Sequence, residues 1–351
     1  MWKVGAMTAL SLPQTPSAQT VGLHRRMSRI TDRAGLIRTI AIDHPDNYLL
    51  LFDDDLSKVS FEEVVESKLE MIAELSRHAT SVLADPVYCF GQSIVTRALP
   101  GDVGVISGIE DLYYTPATSP VGFDTALRLK EGWDPAKLAA LGADAAKLVV
   151  FHREDGDAAE VAHQHEVVAQ AAADCHAVGL PLIVEPLWFP VAGESMDDPQ
   201  VRERRRRSVI SSARSFHDVG TDIMKVEFPV LDLTDLDAAH QACADLDEAI
   251  DGPWVLLSAG VTFEGFRTQI DVAADHGCSG FMAGRAIWGD AVGRMGADQR
   301  AAGAALAARR LDELADVLHG RGAPAWTPVP MADAASVVGP TWYRSYGATG
   351  G

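Results

Sequence analysis

The chain has little positive charge. Its 351 residues include 30 Lys and Arg against 49 Asp and Glu, which gives a formal net charge of −19. Proteins bind nucleic acid largely through Lys and Arg, because these side chains release counterions from the phosphates. We therefore expect no nucleic-acid partner. An anionic substrate would have to be held by a few local donors, against the mean electrostatic field of the protein.

Cysteines and long apolar runs are scarce as well. The four cysteines form no CxxC pair, which favours free buried thiols in a reducing compartment; they are Cys89, Cys175, Cys243 and Cys278. No run approaches the roughly 18 apolar residues that a membrane-spanning helix needs. The first 20 residues resemble a signal peptide poorly, since Pro13 interrupts their apolar stretch. These absences predict a cytoplasmic protein that has no membrane partner.

The two ends of the chain lack a sustained periodicity. Residues 1–34 carry Pro, Ser, Thr and Gln, and residues 321–351 are rich in Pro and Gly. This composition predicts a flexible N-terminal extension and a C-terminal tail. Trp326 and Trp342 in that tail are candidates for docking onto a surface. The basic run 204–207 lies in a helical stretch of an acidic protein, and we interpret it as a solvated helix face.

Between the ends, short apolar runs alternate with long segments whose apolar residues recur at helical spacing. The runs occupy residues 35–43, 81–86, 104–110, 146–152, 181–189, 222–230, 254–261 and 280–288. Eight strand–helix units within residues 35–320 predict a single (β/α)₈ barrel, a TIM barrel. The alternative is an open doubly wound sheet. It normally shows a GxGxxG turn after the first strand, where this chain has AIDHPDN.

The ends of the predicted strands collect ionisable and small residues. In chain order they are Asp43, His44, Asp85, Glu110, His152, Glu185, Lys225, Ser258, Gly260, Gly284 and Arg285. Catalytic groups of such barrels lie at the C-terminal strand ends, so this set predicts the functional site. A metal site is not predicted. Only His44 and His152 qualify loosely as ligands, and His163 and His165, two apart on a helix, do not share a face.

Lys225 is the most informative of these residues. It is an amine at the centre of the apolar strand DIMKVEFPV, and strand alternation puts Ile223, Lys225 and Glu227 on one face. If that face points into the barrel, burial favours the neutral amine that a Schiff-base nucleophile needs. The alternative is a structural pair with Glu227 or Glu185. Position alone does not decide between the two.

Two further charged residues belong to the same prediction. Lys147 opens the fourth strand, and a second ammonium facing the lumen would favour the neutral form of Lys225 further. Its alternative is a lumen lysine paired with Asp43. Glu185 closes the fifth strand, where a carboxyl group could shuttle protons. Its alternative role is to hydrogen-bond a loop.

The last two units predict a phosphate site. LSAGV and MAGRAIW each end a strand with small residues and continue into a helix, a place where backbone N–H groups bind phosphate. Arg285 could add a charge-assisted contact beside Ser258, Gly260 and Gly284. Many barrels bind phosphate after strands 7 and 8. The alternative is that the glycines serve tight packing and that Arg285 forms a surface ion pair.

The order of motifs resembles a known family. AIDHP, LADPVY, GADAAKLVVFH, LPLIVEPLWF, DIMKVEFPV, LSAGV and GFMAGRAIW, within about residues 35–295, resemble the class I tagatose-1,6-bisphosphate aldolase family, which also includes sulfofructosephosphate aldolases. The resemblance implies a (β/α)₈ aldolase that cleaves a ketose phosphate through a Schiff base, giving dihydroxyacetone phosphate and an aldehyde. It implies that Lys225 forms the imine, that Glu185 is the acid/base and that Lys147 and Asp43 support them. The phosphate would be held by Ser258, Gly260, Gly284 and Arg285.

The resemblance carries further expectations and one departure. No metal or other cofactor is implied, because the iminium withdraws electrons as a metal would, and His44 and Glu110 are expected to contact the substrate. The family usually has Gln-Arg after the strand-1 Asp, whereas this chain has His44 and Pro45. A contact to a second phosphate or sulfonate is therefore in doubt, and an uncharged or carboxylate-bearing aldehyde half stays open. Two alternatives to the Schiff-base aldolase also stay open, a non-catalytic barrel that binds a sugar phosphate and a metal-dependent enzyme. A homo-oligomer stays open as well.

Overall fold

The computed structural model describes residues 18–44, 48–111, 125–292 and 297–345. Eight parallel strands pair in sequence order, and the last pairs with the first, which closes the barrel. The strands are β1 (Ile37–Ile42), β2 (Ser81–Ala84), β3 (Gly104–Gly108), β4 (Ala145–Phe151), β5 (Leu182–Leu187), β6 (Ile223–Val226), β7 (Trp254–Leu256) and β8 (Gly280–Ala283). The predicted (β/α)₈ barrel is confirmed, and the open sheet is excluded.

Helices connect the strands. They are α1 (Ala18–Ile30), α2 (Phe61–Leu75), α3 (Phe90–Thr96), α4 (Pro135–Leu141), α5 (Ala158–Ala177), α6 (Pro199–Asp218), α7 (Leu236–Ala249), α8 (Phe263–Ala274), α9 (Arg285–Trp288), α10 (Ala297–Leu318), α11 (Ala334–Val337) and α12 (Trp342–Ser345). Short 3₁₀ turns occur at Leu56–Lys58, Ser76–His78, Gly289–Ala291 and Met331–Asp333. None of the helices in the described part of the chain combines the length and the apolar character needed to cross a membrane.

Local signals in the sequence define the helix ends. Ser60 and Glu63 form a reciprocal capping box at the start of α2. Gly179 and Gly277, which precede β5 and β8, have φ angles of +65° and +84°. Glycine adopts this left-handed conformation without steric cost, so these positions end the preceding helical segments.

The N-terminal end of the barrel is closed by apolar side chains. Met27 and Ile30 of α1 are fully buried and pack against inward-facing strand residues such as Ile37, Ile106 and Ile223. Burying one such side chain stabilises a fold by about 1.5–3 kcal/mol. This packing differs from the flexible extension predicted for residues 1–34, since the part that the structure describes from residue 18 onward contains a docked helix.

The C-terminal segment also reaches this end of the barrel. The Trp326 indole Nε1 donates to His24 Nδ1 of α1 at 3.0 Å, and the Ala325 amide donates to the Gly35 carbonyl at 2.8 Å. A Cβ atom on Gly35 would lie 2.3 Å from the Trp326 carbonyl oxygen, so the contact requires glycine. The surface onto which Trp326 docks is therefore the barrel's own.

The four cysteines are buried and unpaired, as predicted.

Candidate active site

A cavity of about 360 Å³ opens at the C-terminal ends of the strands. Most of the predicted site residues line it: Asp43, His44, Glu185, Lys225, Ser258, Gly260, Gly284 and Arg285. Lys147 and Glu110 are connected to this set by hydrogen bonds. Of the strand-end residues that predict the site, the structure therefore brings all but Asp85 and His152 into one neighbourhood. Asp85 and His152 have other partners.

Strand alternation in β6 directs Lys225 into the barrel. Ile223 belongs to the apolar cluster inside the barrel, whereas Met224 and Val226 pack in the outer core between strands and helices. Lys225 lies on the same face as Ile223 and is 2% exposed. Its Nζ atom donates to Glu185 Oε2 at 2.9 Å. A buried amine in a cavity thus has a carboxylate within direct proton-transfer distance.

Glu185 lies between two lysines. The oxygen that accepts from Lys225 is also 2.7 Å from Lys147 Nζ. Lys147 is fully buried, and its ammonium lies 2.8 Å from Asp43 Oδ2 and 3.2 Å from Glu110 Oε1. The structure therefore contains the two ion pairs that a purely structural role would predict, Lys147 with Asp43 and Lys225 with Glu185. They belong to one connected network rather than to two isolated pairs.

Three groups of this network, Asp43, Glu185 and Lys147, are held in their charged forms. Burial alone would raise the pKa of the Asp43 carboxyl, but basic neighbours, first His44 and then Lys147, outweigh burial and hold this pKa well below its usual range. Burial would likewise raise the pKa of Glu185, and the two lysines lower it. Burial would lower the pKa of Lys147, but the carboxylates around it, first Asp43, raise it well above its ordinary value. At neutral pH these groups are a pair of carboxylates and an ammonium.

A cluster of metal-type ligands lies at the same place. Asp43, His44 and Glu110 have donor atoms within 4.8 Å of one another. The ammonium of Lys147 lies within 3.5 Å of a side-chain atom of each of the three. The chain's own cation therefore occupies the centre of this cluster. His152 lies elsewhere, since its Nδ1 is hydrogen-bonded to Gln164 at 2.8 Å.

The ends of β7 and β8 form another side of the cavity. Ala259 and Gly260 have φ angles of +46° and +74°, and the Val261 amide donates to the Ser258 carbonyl to close this turn. A Cβ atom on Gly260 would lie 3.5 Å from Arg285 Nη2, so the guanidinium lies beside the turn. Arg285 is exposed and has no ion pair among the described residues, contrary to the surface ion pair of the structural alternative.

Gly284 has a packing role. A Cβ atom there would lie 2.7 Å from the Ala41 carbonyl oxygen, which also accepts a hydrogen bond from Trp288 Nε1. The close approach of β8 to β1 therefore requires glycine at this position, as the packing alternative predicts.

The basic run 204–207 contains a site residue that we did not predict. Arg205 is only 5% exposed, and its Nη2 donates to Glu227 Oε1 at 2.8 Å. The prediction of a solvated face is wrong for Arg205, although Arg207, whose side chain is 70% exposed, fits it. The missed signal is helical spacing. Arg205 lies four residues after Val201 and four before Val209, both of which are buried.

Two other features of the site were also missed. Trp188 and Phe189 follow β5 and line the cavity. Lys68 of α2 is fully buried and donates to the Ile42 carbonyl and to Asp85, which explains the carboxylate at the end of β2. Asp85 thus serves the packing of α2 against the barrel and does not line the cavity.

Comparison with known proteins identifies the family. Residues 40–290 match the DeoC/LacD family of aldolases. The chain belongs to this family. It is therefore an aldolase, an enzyme of the lyase class, as the resemblance in the sequence predicts.

Named relatives and solved structures agree with this assignment. A tagatose 1,6-diphosphate aldolase of Listeria monocytogenes is 26% identical over 305 residues, which cover 80% of this chain and 86% of the relative. One from Lactococcus lactis is 24% identical over 76% of this chain and 85% of its own length. Two solved structures share the fold. An archaeal fructose 1,6-bisphosphate aldolase has a TM-score of 0.55 at 19% identity and covers 85% of this chain and 99% of its own. The Plasmodium falciparum enzyme has a TM-score of 0.63 at 14% identity and covers 91% and 99%.

Proposed function

We propose that this aldolase cleaves a ketose 1-phosphate through a Schiff base on Lys225, giving dihydroxyacetone phosphate and an aldehyde. The observation that carries the proposal is the position of Lys225. Its amine is buried in the cavity, 2.9 Å from a carboxylate that a second, fully buried lysine holds in place. One of the structures that share the fold is a Schiff-base-forming fructose-1,6-bisphosphate aldolase, with 19% identity and a TM-score of 0.54 over 85% of this chain and all of its own.

Imine formation uses Lys225 and Glu185. The neutral Lys225 amine attacks the C2 carbonyl of the ketose, and the resulting carbinolamine loses its hydroxyl group as water. Glu185 can accept the proton from the lysine and deliver it to the departing hydroxyl, since its Oε2 lies 2.9 Å from Nζ. The product is an iminium ion that withdraws electrons from C3.

Cleavage then uses the same carboxylate. Glu185 takes the proton of the C4 hydroxyl, the C3–C4 bond breaks, and its electron pair passes into the iminium to form an enamine. The aldehyde leaves, C3 is protonated, and water hydrolyses the imine to release dihydroxyacetone phosphate. Lys147 acts as a positioning residue, because its ammonium holds Glu185 and Asp43 in one arrangement. Arg285 and the turn at Ser258 and Gly260 would bind the phosphate at the other side of the cavity.

Borohydride trapping tests the proposal. The protein is incubated with dihydroxyacetone phosphate and borohydride, and the adduct is located by intact mass and peptide mapping. We expect a stable adduct on Lys225 that is absent in Lys225→Met. Lys58→Met is the matched control, since the side chain of Lys58 is 61% exposed outside the cavity. Folded protein that binds dihydroxyacetone phosphate without forming an adduct would favour a sugar-phosphate-binding barrel instead.

A chelator tests the metal-dependent alternative. In the proposed mechanism the iminium withdraws the electrons and Lys147 fills the cluster formed by Asp43, His44 and Glu110. Prior incubation with EDTA should therefore leave the cleavage rate unchanged. A loss of activity that Zn²⁺ restores would contradict the Schiff-base mechanism.

A further inference from the structure

An aromatic wall forms one side of the cavity. It consists of Phe151 at the end of β4 together with Leu187, Trp188, Phe189 and Pro190 at and after the end of β5. Strand order around the closed barrel puts β4 opposite β8. The wall therefore faces the side that carries Gly284 and Arg285, with Lys225 between the two. A ketose whose phosphate lies by Arg285 and whose C2 lies at Lys225 can place its remaining carbons against this wall.

Arg153 holds the segment after β5 in place. It is 7% exposed, and it donates to Glu194 at 2.7 Å, to Asp155 at 2.8 Å and to the Phe189 carbonyl at 2.9 Å. Its guanidinium also lies 5.2 Å from the centre of the Trp188 ring. Because these contacts fix the rings before a ligand arrives, binding against them costs less conformational entropy.

The basic run on α6 adds a second attachment. Arg204 pairs with Glu194. Arg205 donates to Glu227 Oε1 at 2.8 Å, while Glu227 Oε2 accepts from the Trp188 amide at 3.0 Å. Each of these arginines is paired with a carboxylate. The charges of Arg204 and Arg205 therefore stabilise the wall and are not left over for an anionic ligand.

The lining beside the wall has little capacity for a second anion. Among the described residues that line the cavity, the basic ones are Lys225, Arg285 and His44. The first two are assigned to the imine and the phosphate, and burial lowers the pKa of His44, which favours its neutral form at pH 7.

Two polar groups at the wall suit hydroxyl groups. Trp188 Nε1 is buried and has no hydrogen-bond partner among the described residues. An unpaired buried donor is costly because it loses its hydrogen bond to water, and the Trp188 side chain that carries it belongs to a residue lining the cavity. Glu227 lines the cavity, and each of its oxygens has a second lone pair that can accept from a hydroxyl. Apolar rings with a few placed polar groups are typical of sites for uncharged ligands.

We propose that the aromatic wall is the specificity-determining subsite for the aldehyde half and that it takes an uncharged, hydroxylated aldehyde. This inference rests on the proposed Schiff-base function, since it assumes that Arg285 and Lys225 hold the dihydroxyacetone phosphate half. Trp188 and Glu227 contact the aldehyde. Arg205 is a positioning residue that acts through Glu227.

Aldol addition tests the subsite. Dihydroxyacetone phosphate is offered with D-glyceraldehyde, D-glyceraldehyde 3-phosphate or succinic semialdehyde, and kcat/KM is measured for each aldehyde. We expect D-glyceraldehyde to exceed both anionic aldehydes by at least about 10-fold. Preference for either anionic aldehyde would overturn the subsite, even with normal borohydride trapping. If the wild-type protein gave no trapped adduct, the proposed function would fail, and the subsite with it.

Variants of Trp188 test whether this residue determines the KM for the aldehyde. Trp188→Ala should raise KM for D-glyceraldehyde about 10-fold or more and leave the trapped adduct with dihydroxyacetone phosphate unchanged. Trp188→Phe, which keeps a ring but removes the Nε1 donor, should give an intermediate KM. Trp342→Ala is the control, since Trp342 lies on α12 outside the cavity. Equal KM values in all three variants would contradict the assignment.

A matched pair tests the basic run. Arg205→Gln should raise KM for the aldehyde while the yield of trapped adduct stays unchanged, because Glu227 loses its partner and the wall is held less firmly. Arg207→Gln, on the exposed face of the same helix, should leave both quantities unchanged. A merely structural role for Arg205 would lower thermal stability without shifting KM for the aldehyde, and that result would overturn its assignment as a positioning residue.

Discussion

The two ends of the barrel use the same strands for opposite purposes. At the N-terminal end, α1 and the segment around Trp326 cover an apolar layer. At the C-terminal end, the same strands carry charged side chains around an open cavity. On β6 the change from Ile223 to Lys225 takes two residues, one repeat of the strand. One end therefore serves stability and the other serves chemistry, and substitutions should separate the two.

The largest effect of a substitution on activity is expected at the C-terminal end of the barrel, which carries the cavity. Lys225→Met should lower kcat/KM for ketose phosphate cleavage by at least about 10³-fold, because removing a covalent nucleophile removes the reaction path itself. Steady-state kinetics and a melting curve check this prediction. A variant that retains a tenth of the activity would show that Lys225 is not the nucleophile.

A substitution at the N-terminal end of the barrel should lower stability rather than activity. Ile223→Ala, two residues away on the same strand face, should lower the free energy of unfolding by about 2–5 kcal/mol, because it leaves a cavity beneath α1. The kcat of the remaining folded enzyme should stay near that of the wild type. Denaturant unfolding and active-site titration measure the two quantities. A large loss of kcat with unchanged stability would refute the division between the two ends.

Arg285 should have a smaller effect. Arg285→Gln should raise KM for the phosphorylated substrate about 10- to 100-fold, because a charge-assisted hydrogen bond to the phosphate contributes about 1.5–3 kcal/mol. The kcat should change less, and the trapped Lys225 adduct should still form at high substrate concentration. An unchanged KM would place the phosphate elsewhere in the cavity.

Low pH should destabilise the C-terminal end of the barrel, because it protonates the carboxylates there. The pKa of Asp43 is lowered in the folded state, so its contribution to stability is present above its unfolded pKa of 3.8 and is lost as pH falls below that value toward the folded pKa. Melting temperatures of the wild type should therefore fall more steeply below about pH 4 than those of Asp43→Asn. Parallel curves for the two proteins would contradict this role of Asp43.

High pH should also destabilise this network, in this case because Lys147 loses its proton. The pKa of Lys147 is raised in the folded state, so its contribution is fully present below the unfolded value of 10.5 and is lost as pH rises through the higher folded pKa. Between these limits Asp43 and Lys147 stay charged. We expect the contribution of this pair to stability to be constant from about pH 5 to pH 10.

Periodicity and motif order predicted the barrel, the family and the neighbourhood of Lys225, Glu185 and Lys147. They did so because each of those signals is local: a strand repeats every two residues, a helix every 3.6, and parallel strands bring their ends to one edge. The buried role of Arg205 was missed, although the helical spacing of its neighbours was visible. The partner that explains its burial, Glu227, lies 22 residues away on another element.

The docking of α1 could not be predicted from local sequence patterns. The sequence shows a short segment beside a polar, proline-containing stretch, and its helix is stabilised by contacts with the barrel's end rather than by its own propensity. The pairing of Trp326 with His24 joins residues 302 positions apart. No local pattern indicates such a contact.

The sequence by itself determined the strand–helix repeat, the alternation of side chains along each strand and the kinds of groups at the strand ends, since all of these follow from the local geometry of the backbone. Only the tertiary structure decided which groups meet. Closure of the barrel brings the Glu185 oxygen within 2.9 Å of both Lys147 and Lys225, and it sets the arginines of α6 behind the wall of the cavity. Such distances depend on how whole elements pack against one another, because a hydrogen bond forms only within a few tenths of an ångström of its preferred length.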